Sequence, residues 1–150
     1  MKMIYDRAYW HYGGEYPEDL PLVNGGTHIG MFLAWVINND LEGKVHKLES
    51  QASLLAVRNK EMTGRDFLIK ECSEKFWEED LSEKGNAFAL YYYESDTYFS
   101  DYKSALAEDI PSLYHVEDTW ENYQILAPVI SSRYIKWQQK QSKKWWQFWI

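Results

Sequence analysis

The chain has 150 residues, 45% of them hydrophobic and 26% charged, which is the composition of one globular domain and excludes a disordered segment. A chain of this length buries about 68–70% of its unfolded surface, so its core needs no staple. Its single cysteine, Cys72, excludes an intramolecular disulfide, and on cysteine count a cysteine-based zinc site is not expected.

The net charge of −7 is unevenly spread. Residues 1–121 hold all 23 acids against eleven Lys and Arg, a net −12, while residues 122–150 hold five bases and no acid. An acidic body repels nucleic acid and attracts basic proteins. The first 14 residues are too polar for a signal peptide. The longest apolar stretch, residues 29–37, is far below the roughly 20 residues of a membrane span. These features lead to the expectation of a cytoplasmic protein.

In chain order, residues 1–26 read as irregular, because Gly13, Gly14, Pro17, Pro21, Asn24, Gly25 and Gly26 recur too densely for a regular element. Thr27 is an expected N-cap for a central helix over 28–39 that is apolar nearly all round. A second helix is expected over 45–59, with a short strand at 53–57 as the alternative. Thr63 to Asp66 resembles a capping box opening a helix that carries Phe67, Leu68, Cys72 and Phe76. Ser82 and Asp96 are expected to start two more helices. Residues 118–126 form another, and Pro128 is expected at the first turn of a last helix reaching Gln141. The fold class that follows is all-α: an irregular bundle of six to seven helices with an extended, turn-rich N-terminal segment. Residues 1–141 form the single domain and 142–150 a Lys/Trp-rich tail.

No phosphate loop, nucleophile elbow, His-Glu-x-x-His pair or calcium loop occurs. The well-marked enzyme classes are thereby set aside, and no cofactor is expected. Three groupings remain. His11, His28 and His115 with Glu15 or Asp118 would make a metal or acid–base site if the fold brought them together, although their spacing gives no such register. Tyr91, Glu94, Asp96, Tyr98, Asp101 and Tyr102 form an acidic–aromatic stretch suited to a basic protein partner. There tyrosines supply rigid contact area and carboxylates pair with Arg. Trp145, Trp146, Phe148 and Trp149 beside Lys143 and Lys144 suit docking on the chain's own groove or on a second copy, in preference to a membrane surface.

The segments Tyr5-Asp6-x-Ala8-x-Trp10-His11-x-Gly13-Gly14, Pro17, Leu20-Pro21 and Thr27-His28-Ile29-Gly30-Met31-Phe32-Leu33-Ala34-Trp35 resemble a family of small uncharacterised bacterial proteins. So do residues 63–68 and 112–120, and the resemblance spans residues 3–138. Proteins of this look are similar in size and acidity to immunity proteins of polymorphic toxin systems, including contact-dependent inhibition. The resemblance therefore implies a non-enzymatic inhibitor whose partner is a cognate toxin domain. The acidic body leads to the expectation that this domain is basic and of nuclease type, and that nucleic acid is not a partner.

Overall fold

The computed structural model describes residues 2–149, with side chains described as far as Lys144. It is mostly helical, as the periodicity predicts. The elements are β1 (Ile4–Arg7), α1 (Thr27–Asn38), α2 (Lys44–Glu49), α3 (Gln51–Arg58), α4 (Gly64–Cys72), β2 (Lys75–Trp77), α5 (Glu83–Tyr92), α6 (Thr97–Leu106) and α7 (Trp120–Trp149). Short 3-10 turns at Ala8–His11, Leu22–Gly26, Glu78–Asp80 and Leu113–His115 complete the order.

The central helix is α1, buried along its whole length from Thr27 to Ile37. A helix apolar on every face has no side to give to water, so other elements must wrap it. It packs most extensively on α4, and glycine makes that approach close. A Cβ on Gly30 would fall 2.2 Å from the backbone N of Arg65, and one on Gly64 only 1.7 Å from the Gly30 carbonyl oxygen. Around α1 the core is largely aromatic, with Phe32, Trp35, Phe67, Phe76, Phe88, Tyr92, Tyr93, Tyr98 and Tyr102 all fully buried. The aromatic excess thus builds the interior more than a recognition surface.

Several local expectations change. Residues 4–7 are a strand, paired antiparallel with β2. A bulge between Ile4 and Asp6 breaks the alternation, so Tyr5 and Asp6 both point inward. Phe76 accordingly lies on β2 and not on α4. Gly26, not Thr27, is the N-cap of α1, and it makes no side-chain cap bond. The helix expected over 45–59 is broken at Ser50, whose hydroxyl donates to Glu71 Oε2 at 2.7 Å. Thr63 does cap α4, accepting from Asp66 N at 3.2 Å. Ser82 caps α5 through Gly85 N at 3.1 Å, whereas Asp96 starts α6 in the left-handed region (φ 66°) without a side-chain cap bond.

The largest difference is α7. Pro128 does not begin a helix; it lies inside one continuous 30-residue helix. Pro128 and Gln124, whose carbonyl loses the proline's missing N–H, are both exposed, so water can satisfy that oxygen. The helix is fastened to the core by Ser131, which accepts from Trp35 Nε1 at 3.0 Å, and by a bidentate Arg133–Asp101 pair at 2.9 and 3.0 Å. Its backbone continues past Gln141, where the last helix was expected to end, as far as Trp149.

Candidate functional site

The sharp bulge in β1 turns Asp6 into the interior, and the following 3-10 turn brings His11 back over it. His11 Nε2–H donates to Asp6 Oδ1 at 2.7 Å, and His28 Nε2–H, from the first turn of α1, donates to Oδ2 at 3.1 Å. The Tyr93 hydroxyl donates to Oδ2 at 2.6 Å and the Arg7 amide to Oδ1 at 2.8 Å. Tyr114 completes the group, its hydroxyl 2.8 Å from His11 Nδ1. Two of the three expected histidines therefore converge, their rings 4.5 Å apart and edge to face.

The electrostatics of this hub follow from its burial. Burial alone would raise the Asp6 carboxyl, but hydrogen bonds from His11 and His28 hold it well below the usual carboxylate range. Burial drives His28 down, against the pull of Asp6, so its ring stays neutral. Burial and the Asp6 charge push the Tyr93 hydroxyl far up. The result is one fixed negative charge accepting four hydrogen bonds, which uses the capacity of both oxygens. His28 is wholly buried and Asp6 nearly so, while His11 keeps slight exposure. The three side chains could meet a metal by position, with His11 and His28 giving up their bonds to Asp6, while the far nitrogen of His28 has no hydrogen-bond partner among the described residues to orient it. The arrangement fits a polar latch joining β1, α1 and α5.

The other residues of that expected site lie elsewhere. His115 receives Ser112 at Nδ1 (2.8 Å) and faces Asp19 across 3.2 Å through Nε2. Asp118 is tied to the start of α4, accepting from the Thr63 hydroxyl at 2.7 Å with the Arg65 guanidinium 3.3 Å away. Burial raises its carboxyl. Glu15 is exposed and makes no hydrogen bond to these histidines among the described residues.

The acidic–aromatic stretch divides into an inner and an outer half. Tyr98 and Tyr102 are fully buried and cannot contact a partner: Tyr98 donates to the His28 carbonyl oxygen, and both rings pack in the core. Asp101 is committed to Arg133 and accepts from the Tyr92 hydroxyl at 2.7 Å. Tyr91, Glu94 and Asp96 are exposed at the corner between α5 and α6. Neither carboxylate there has an ion-pair partner among the described residues. Beside the corner, Asp96, Phe99, Ser100 and Lys103 line a depression of about 460 Å³. Lys103 also lines a second one of about 440 Å³, with Ser104, Glu108, Ile110 and Leu113 among its walls. The expected tail contacts, Trp145, Trp146, Phe148 and Trp149, lie outside the described residues.

Residues 4–116, from β1 to the last 3-10 turn, match the family described as domain of unknown function DUF7832. The chain belongs to that family. All of the Asp6 hub falls within the DUF7832 match, which ends before α7 and short of the residue 138 that the motifs suggested. No curated protein and no solved structure matches the chain. No helix among the described residues is long and apolar enough to cross a membrane.

Sequence spacing missed two groupings. Asp6, Tyr93 and Tyr114 are scattered over the chain, and only a bulge invisible to periodicity aims Asp6 at the histidines. Cys72 is also less isolated than its count suggests, because it meets His46 and Asp80 in the interior. These residues come from α2, α4 and the turn after β2, and no spacing rule connects them.

Proposed function

We propose that this DUF7832 protein is an immunity-type inhibitor that binds and neutralises a cognate toxin domain, basic and of nuclease type. The observation that carries the reading is the α5–α6 corner. Tyr91, Glu94 and Asp96 face solvent there, without a cation of the described chain to neutralise the carboxylates. An exposed tyrosine at the same corner as two exposed carboxylates offers a rigid anchor and two sites for Arg. The adjoining depressions give a partner's side chains somewhere to insert. The net −12 of residues 1–121 extends the attraction beyond the contact itself.

Charge reversal tests the reading. A Glu94→Lys/Asp96→Lys variant should associate with the cognate toxin at least about tenfold more slowly at low salt, with a flatter salt dependence. Glu94→Lys alone, at an exposed side chain without an ion pair among the described residues, should leave folding unchanged. Asp96 opens α6 at φ 66°, so Asp96→Lys should cost about 1 kcal/mol, and the double variant is compared with Glu94→Lys at a temperature where both are folded. Association kinetics equal to those of the wild type would remove the corner from the account.

A further inference from the structure

A second buried cluster lies apart from both the Asp6 hub and the acidic corner. His46 from α2, Cys72 at the end of α4 and Asp80 from the turn after β2 direct Nε2, Sγ and Oδ1 at one point. The separations are 2.7 Å from His46 Nε2 to Asp80 Oδ1, 3.8 Å from His46 Nε2 to Cys72 Sγ and 3.5 Å from Cys72 Sγ to Asp80 Oδ1. A zinc ion holds nitrogen and oxygen at about 2.0–2.2 Å and sulfur at about 2.3 Å. Ligands of a tetrahedral ion at those lengths stand roughly 3.2–3.8 Å from one another. Two of the three separations already fit, and the third needs His46 and Asp80 to part by about half an ångström.

We propose that His46, Cys72 and Asp80 bind a divalent transition metal of the zinc class, with the fourth position left to an exogenous ligand. Two features beyond the trio support this. The first is the orientation of the histidine. His46 Nδ1 lies 3.1 Å from the Ser50 hydroxyl, which donates to Glu71 Oε2 at 2.7 Å, and Ser53 donates to the other Glu71 oxygen at 3.1 Å. A carboxylate that draws on the far ring nitrogen, here through a hydroxyl, is how metal-bound histidines are oriented and made more basic. Asp80 is aimed in the same way, since its Oδ2 accepts from the Trp77 amide at 2.9 Å and leaves Oδ1 facing inward.

The second feature is access. A cavity of about 350 Å³ is lined by the three ligands together with Glu49, Glu71 and Lys75. It gives the ion a path and leaves room for a water or a small anionic ligand at the fourth position. A thiolate, an imidazole and a carboxylate suit zinc and its borderline neighbours and not magnesium or calcium, which take oxygen. In the Asp6 hub, by contrast, the far nitrogen of the buried His28 has no hydrogen-bond partner among the described residues.

Cobalt(II) is the probe. Cys72 is the only cysteine of the chain, so a thiolate-to-cobalt charge-transfer band can come from this site alone. Chelator-treated full-length protein should bind one equivalent of cobalt with that band, and zinc should displace it. Cys72→Ser should lose the band, and Glu71→Gln should keep it with affinity weakened about ten- to a hundredfold. Folded wild-type protein that binds no cobalt, or binds it without the band, overturns the proposal even if the variants fail to fold.

Discussion

Asp6 shows how one buried side chain can tie separate parts of a fold together. Removing its carboxylate strands two buried side-chain donors, on His28 and Tyr93, and a partly exposed one on His11. Each buried stranded group costs about 1–3 kcal/mol, so Asp6→Ala should lose at least about 2 kcal/mol in urea unfolding. The hub also sets a pH dependence. His28 has a folded pKa below its ordinary value, so the unfolded chain takes up the proton first. Stability should therefore begin to fall below about pH 6.5, the ordinary histidine value. The depressed carboxyl of Asp6 acts in the same direction in a lower window. Its contribution is complete above about pH 4 and is lost as the pH falls through its folded value. Unfolding midpoints of wild type and His28→Asn should converge on acidification from pH 7 to 5; parallel curves would contradict the neutral, buried imidazole.

Among the elements, the meeting of α1 and α4 shows packing overriding propensity. In an open helix Gly→Ala gains about 1 kcal/mol. At Gly30 the added methyl would strike the backbone of Arg65 and Gly64, which cannot turn aside. Gly30→Ala should therefore cost about 1–3 kcal/mol or more in thermal or urea unfolding. Pro128 in α7 predicts the opposite sign. Pro128→Ala restores a helical N–H and should stabilise the protein by about 1–3 kcal/mol, read as a higher Tm. These two positions also show what the sequence could and could not disclose. The uniform apolarity of residues 28–37 makes α1 legible, and the Thr63 and Ser82 caps mark two helix starts. Pro128 misleads because local rules favour a helix start, while Trp35, Asp101 and the core keep α7 continuous across it. The β1–β2 pair was hidden because four and three residues are too few for a period, and its bulge removes the alternation. The candidate sites were legible only in part for the same reason. His11 and His28 were suspected, yet the Asp6 that joins them depends on that bulge. Tyr98 and Tyr102 share the composition of their exposed neighbours, and only packing separates them.

Across the whole molecule, the charge asymmetry follows the architecture. Every residue of α7 beyond Glu121 that carries charge is basic, while the rest of the molecule is strongly acidic. Asp101 and Arg133 join the two regions on a shared contact, so part of the acidic stretch is spent on holding α7 in place. What remains free is the corner of Tyr91, Glu94 and Asp96, and the proposed function stands on it. The decisive measurement is capture from the native host by tagged wild-type protein and by Glu94→Lys/Asp96→Lys in parallel, followed by co-expression with whatever is held. The account predicts one basic protein, retained by the wild type, released by high salt, poorly held by the double variant, and toxic unless this chain is present. Equal retention by the two forms, or a partner whose toxicity the chain does not abolish, would contradict it.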